Sequence, residues 1–109
     1  MVMCEDDGFV SVFEDNNLKE GTFEETSVQG MPIFLIRYEK NGEVFAISSL
    51  CPHEGRYLTE INGYYICCQA HGFCFDIRTG DCKGYEDSSF KLKRFDCKIK
   101  DGKIWVKLE

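Results

Sequence analysis

The stretch CPHEGRYLTEINGYYICCQAHGFCFD, residues 51–76, decides how this chain is read. It contains two short motifs, Cys51-Pro52-His53 and Cys68-Gln69-Ala70-His71. Each couples a thiol with an imidazole across one or two residues. Each also sits where a β-rich segment gives way to a loop, Cys51 after Phe45 to Ser49 and His71 after Tyr64 to Gln69. Residues 54–67 separate the motifs and carry Asn62-Gly63, a turn signal that folds the chain back. Two adjacent hairpin loops can thus gather two thiols and two imidazoles around one centre. A tetrahedral zinc takes the same residue types, although zinc fingers usually pair Cys with Cys and His with His.

Outward from this stretch the chain reads as a succession of short strands. Phe9 to Phe13, Thr22 to Val28, Met31 to Tyr38 and Glu43 to Ser49 precede it. Tyr64 to Gln69 and Phe73 to Ile77 lie within or just beyond it, and Lys93 to Lys100 and Lys103 to Leu108 close the chain. Asn41-Gly42, Asn62-Gly63, Thr79-Gly80 and Asp101-Gly102 punctuate these segments as tight turns. No window sustains the three-four apolar spacing of a helix, and only Asp15 to Glu20 allows a helical turn. The expectation is an all-β sandwich or barrel. In the closing hairpin Phe95, Cys97 and Ile99 share one face, with Lys98 and Lys100 on the other, so Cys97 reads as a buried structural thiol.

Composition narrows the class. The chain has 109 residues, 43% hydrophobic and 14% aromatic, which fits one folded domain over residues 1–109. Its net charge of −6 opposes nucleic-acid binding, because phosphates would repel such a surface. The N-terminus has no basic region followed by an apolar run, and no stretch is long and apolar enough to span a membrane, so the expected location is cytoplasmic. Seven cysteines then point to metal ligation rather than a disulfide framework. Beyond Cys51 and Cys68, the default reading for Cys4, Cys67, Cys74 and Cys82 is a buried thiol. A two-residue turn at Thr79-Gly80 would set Cys82 opposite Ile77 rather than Cys74.

With these residues in view, the sequence resembles the Rieske family, whose pattern is Cys-x-His, a spacer, then Cys-x-x-His. The likeness extends through His71-Gly72-Phe73, Phe75-Asp76 and Thr79-Gly80 into Leu92 to Leu108, and spans about Phe9 to Leu108. It implies a Rieske-like β-sandwich with a small cluster-binding subdomain, about residues 48–86, inserted in it. It implies one 2Fe–2S cluster, with Cys51 and Cys68 on the buried iron and His53 and His71 on the outer one. Neutral imidazoles in place of two thiolates remove negative charge and raise the potential over an all-Cys cluster. The family often has a Pro-containing loop after the second motif, whereas Lys83 to Phe90 contains none.

The resemblance also sorts the members by potential. High-potential respiratory members carry a disulfide between the two cluster loops, at positions equivalent to Arg56 and Ala70, and hydroxyl donors at positions equivalent to Phe73 and Phe75. None of these features is present. The implied function is a soluble, low-potential ferredoxin, a one-electron carrier and not an enzyme by itself. Its implied partners are an electron-donating reductase, often a flavoprotein, and an electron-accepting terminal oxygenase or related oxidoreductase, with His53 and His71 as the electron exit. The alternatives are a small subunit of a larger oxidoreductase, of the nitrite-reductase type, and a zinc-binding interaction module.

Overall fold

In the computed structural model the described residues are 8–39, 42–52, 58, 60–68, 73–84 and 91–108. Among them the fold is all-β. Strands β1 (Val10–Glu14), β2 (Thr22–Val28), β3 (Met31–Arg37) and β4 (Val44–Ser48) come first. Three short strands follow, β5 (Glu60–Asn62), β6 (Tyr65–Cys67) and β7 (Cys74–Asp76), and then β8 (Arg94–Lys100) and β9 (Lys103–Lys107). The one helical turn among the described residues, Asp15–Asn17, falls where the sequence allowed one. β1-β9-β8-β4-β3-β2 form a six-stranded sheet, and β5-β6-β7 form a three-stranded one, every pair antiparallel.

Two hairpin turns show why the register is fixed. Asp101-Gly102 joins β8 to β9 with φ of 55° and 74°, the two positive angles that match the twist of flanking strands. Gln29-Gly30 does the same between β2 and β3, with φ of 53° and 83°. The second turn lacks the Asn or Asp that announces such hairpins, so the sequence signals passed over it.

The period-two alternation of β3 and β4 serves two cores. Ile33 and Leu35 of β3 join Val44 and Ala46 of β4 on one face, packed with Val10, Val28, Phe95, Ile104 and Val106. Phe34, Ile36 and Ile47 point to the other face, where Ile66, Phe75, Ile77 and Leu92 cover them. The small sheet is therefore fastened to the outer face of the β3–β4 pair. At one end Arg37, 5% exposed, pairs with Asp15 and so ties β3 to the helical turn.

Two expectations about register are corrected. Thr79-Gly80 is not a two-residue turn. Asp76 N–H donates to Asp81 O at 2.8 Å and Gly80 N–H to Asp76 O at 2.6 Å, which closes a four-residue loop over 77–80 and aligns Phe75 with Cys82. In the closing hairpin Phe95 is buried, but Cys97 is only half-buried and Ile99 is 43% exposed. The reason is that β8 pairs with β4 only at Arg94 and Phe95, so its far end has β9 alone beside it.

Gly80 shows what this loop demands. It adopts φ of +87°, and a Cβ there would stand 2.8 Å from Leu92 O, whose own N–H donates to Gly80 O. Gly63 has a similar φ of +63° but open space around it. Gly80→Ala should therefore cost about 1–3 kcal/mol in urea denaturation, clearly more than Gly63→Ala. Equal losses would show that the close approach to Leu92 is not a constraint.

Candidate metal centre

The first motif leaves β4 through a pinned backbone. Ser48 N–H donates to Lys93 O at 2.9 Å, Ser49 N–H to Pro32 O at 3.1 Å, and Leu58 N–H to Ser49 O at 2.7 Å. These bonds fix both ends of the segment that carries Cys51, which is 1% exposed. Ser49 Oγ, fully buried two residues earlier, has no hydrogen-bond partner among the described residues. The second motif begins at Cys68, 2% exposed, whose N–H donates to Phe73 O at 2.7 Å and closes the mouth of the loop over residues 69–72.

Cys51 and Cys68 thus arrive from different loops, yet both belong to the apolar cluster built on Phe34, Ile36, Ile47, Leu58, Ile66 and Phe75. Neither is in a disulfide. His53 and His71, and also Arg56 and Ala70, lie outside the described residues. Among the described residues no group of three metal-ligating side chains forms. A pair of buried sulfurs in apolar surroundings fits the thiolate half of an iron–sulfur cluster. Bound there, iron would supply the positive charge that the two sulfurs take as ligands.

The other cysteines sort differently from the expectation of buried thiols. Cys67 and Cys74 face each other across β6 and β7, with Cα atoms 4.0 Å apart, and form a disulfide. Both are half-buried. The signal was available in the alternation. Once Ile66 and Phe75 are both placed inward, Cys67 and Cys74 fall on the same outer face, but only the loop length fixes them directly opposite. Cys82 is buried and lies outside any disulfide, opposite Phe75. Burial, with Glu43 nearby, pushes the Cys97 thiol up to about 12, so it stays protonated at neutral pH and is a poor ligand. Cys4 lies outside the described residues.

A polar and aromatic seam joins the small sheet to the large one. Tyr38, next to the end of β3, stands 4.3 Å from Tyr64 and 5.9 Å from Phe45 between ring centroids, and its hydroxyl donates to Gly63 O at 2.7 Å. Burial first, and then Tyr64, raise the Tyr38 phenol to about 12, so it remains a donor. Arg78 lies 4.2 Å over the Tyr64 ring and binds both oxygens of Asp76 at 3.1 and 3.0 Å. The Arg78 hydrogen bond holds the Asp76 carboxyl below its usual range. A depressed carboxylate pKa adds stability above the unfolded value of about 3.9, and that stability is lost as pH falls through the folded value. Wild type should therefore exceed Asp76→Asn by under about 1 kcal/mol near neutrality, since Arg78 is exposed. The gap should close below about pH 4 in urea titrations, and a gap independent of pH would contradict the pairing.

Comparison with known proteins places this geometry. The profile of the Rieske [2Fe-2S] domain family matches residues 8–96. The chain is 30% identical over 93 residues to apoptosis-inducing factor 3 of Homo sapiens, covering 84% of this chain and 15% of that protein, so it spans a small part of that relative's length. Among solved structures, it is similar to the ferredoxin of carbazole 1,9a-dioxygenase from Nocardioides aromaticivorans IC177. That match has 27% identity and a TM-score of 0.72, and covers 93% of this chain and 98% of that one. A chain in the complex of reduced oxygenase and oxidized ferredoxin of carbazole 1,9a-dioxygenase shares the fold, with a TM-score of 0.75 at 24% identity over 94% of each chain. Among the described residues no helix is long and apolar enough to cross a membrane.

Proposed function

The chain belongs to the Rieske [2Fe-2S] domain family, and from that membership we propose that it carries single electrons from a reductase to a terminal oxygenase or related oxidoreductase. Domains of this family hold one 2Fe–2S cluster. In this chain Cys51 and Cys68 would hold one iron and His53 and His71 the other, within a cluster-binding part at about residues 48–86 of a single domain. The observation that carries this reading is the pair of buried sulfurs, delivered by two loops with pinned backbones to one apolar cluster. The cluster supplies a centre that takes up and gives back one electron, at a potential set by its ligands and the hydrogen bonds around it. The protein's share is to bury the sulfurs, to exclude water with Leu58, Ile66 and Phe75, and to hold the two loops at a fixed spacing.

The reading extends to the partners and the location. The ferredoxin of carbazole 1,9a-dioxygenase matches 93% of the chain and is itself covered to 98%, which supports an oxygenase as the acceptor. The donor we propose is a reductase of the flavoprotein class, and the compartment the cytoplasm. Nothing in the reading calls for an enzymatic step on the chain itself. A second reading, a module of a larger oxidoreductase, draws support from the much longer relative of which this chain matches only a part. Anaerobic stopped-flow mixing separates the two. A carrier reduced by a flavoprotein ferredoxin reductase should be reoxidised by a separate terminal oxygenase in a concentration-dependent step. A module should exchange electrons only within a stable complex that survives gel filtration.

Two outcomes follow for the isolated protein. Iron and acid-labile sulfide should each reach about two per chain. Cys68→Ser should abolish both, while Cys67→Ser should still assemble the cluster, because of these two only Cys68 is buried in the apolar cluster that also holds Cys51. Stoichiometric zinc, or the reverse result for the two serine variants, would contradict the ligand register. Phe75 is fully buried and Phe73 packs against the same core. Neither ring can donate the hydrogen bond that stabilises the more negative, reduced state. The potential should accordingly lie in the lower half of the roughly −150 to +300 mV span of such centres, as read by voltammetry. A value near the top would place its control elsewhere.

A further inference from the structure

The Cys67–Cys74 disulfide lies on the outer face of the small sheet, opposite the buried Ile66 and Phe75. It forms the last side-chain rung of the β6–β7 ladder before the second ligand loop. The next rung carries the hydrogen bond from Cys68 N–H to Phe73 O, and residues 69–72 follow it in the chain. The covalent ring running from Cys67 to Cys74 therefore encloses Cys68 and His71, two of the four proposed ligands. We propose that this disulfide is a redox-operated latch on the β6–β7 stem that carries Cys68: closed, it holds Cys68 in place for the cluster, and opened, it lets the last rung of the stem part and the cluster leave. The inference rests on the ligand assignment above.

Three observations argue for a latch that works reversibly. The two cysteines are half-buried on an outward face, so a small reductant can reach the sulfurs, whereas Cys51 and Cys68 are 1% and 2% exposed. The pair occupies directly opposed positions, with Cα atoms 4.0 Å apart and Cys68 N–H bonded to Phe73 O in the next rung. The Ile66–Phe75 rung on the other side, fully buried, keeps the two strands paired after reduction, so the thiols stay near enough to close again. The bridge is also distinct from a disulfide between the two cluster loops, because both of its ends lie on the same loop's stem. Opening consumes two electrons and two protons from a dithiol, which is left as its own disulfide. Closing returns them to an oxidised dithiol or to dioxygen as acceptor. In a reducing compartment the open form gains weight, and in an oxidising one the closed form does.

The test uses the whole protein with its cluster. Alkylation and peptide mass spectrometry report the state of the pair before and after treatment with tris(2-carboxyethyl)phosphine, which adds no thiol that could bind iron. Loss of the visible band in the presence of an iron chelator gives the lifetime of the cluster. Hydrogen exchange at the Cys68 amide reports the stem itself, and can be read even in colourless protein. The proposal expects a bridged pair in air-isolated protein, and cluster loss faster by on the order of tenfold once it is reduced, with matching loss of amide protection. Cys67→Ser should lose its cluster at the fast rate and ignore the phosphine. The paired Cys67→Val, Cys74→Val variant, which keeps an apolar cross-strand contact, should ignore it too if the serine variant does not fold. Unbridged thiols after air isolation would overturn the latch, as would equal lifetimes and equal protection in the open and closed forms. A protein that shows the exchange effect but holds no iron would retain the latch and refute the ligand assignment instead.

Discussion

Strands β3 and β4 are buried on both faces, and the site depends on that wall. Residues 31–37 read Met-Pro-Ile-Phe-Leu-Ile-Arg, nearly continuous apolar sequence, because odd and even positions both meet a core. One face closes the large sheet with Ile33, Leu35 and Ala46. The other offers Phe34, Ile36 and Ile47 as the floor on which a three-stranded sheet too small to stand alone can settle. Cys51 and Cys68 join one apolar cluster because the loops that carry them end on this floor. Because alternate residues of the same two strands serve the two cores, the wall couples the stability of the large sheet to the placement of the sulfurs.

The same arrangement explains the division of labour among seven cysteines. Depth and strand parity decide it. Inward positions at the loop mouths become Cys51 and Cys68, buried outside any disulfide, and Cys82 is buried in the same cluster opposite Phe75. Outward positions on β6 and β7 become the Cys67–Cys74 bridge. Cys97, desolvated beside Glu43, is held as a protonated thiol away from the site. The seam of Tyr38, Tyr64, Arg78 and Asp76 then locks the small sheet to the large one through hydrogen bonds and ring contacts rather than additional apolar area.

Much of this was legible from the residues. The spacing of Cys51, His53, Cys68 and His71 carried the family, and the strands emerged from β-rich segments between turn signals. The fold class followed from the absence of any helical period, which the structure bears out. What escaped depended on register, which sequence alone constrains weakly in short strands. β5 is three residues long, and its end had been assigned to a turn at Asn62-Gly63, whereas Asn62 pairs with Tyr65 and the turn is Gly63-Tyr64. The hairpin at Gln29-Gly30 has no Asn or Asp to mark it. The disulfide has no local signal, because the pairing of Cys67 with Cys74 depends on the length of the connection between β6 and β7. The exposure of Ile99 follows from how far β4 extends alongside β8, a tertiary fact with no local signal.

The central claim is a mixed thiolate and imidazole ligation of one 2Fe–2S cluster, and nitrogen hyperfine spectroscopy on the reduced protein tests it most directly. Pulsed EPR at the signal of the dithionite-reduced protein should detect two inequivalent nitrogens bound to one iron, and one of the two couplings should vanish in each of the His53→Cys and His71→Cys variants that still hold iron. A reduced 2Fe–2S signal without strongly coupled nitrogen would contradict the account, and so would a protein that stays EPR-silent on reduction and holds zinc.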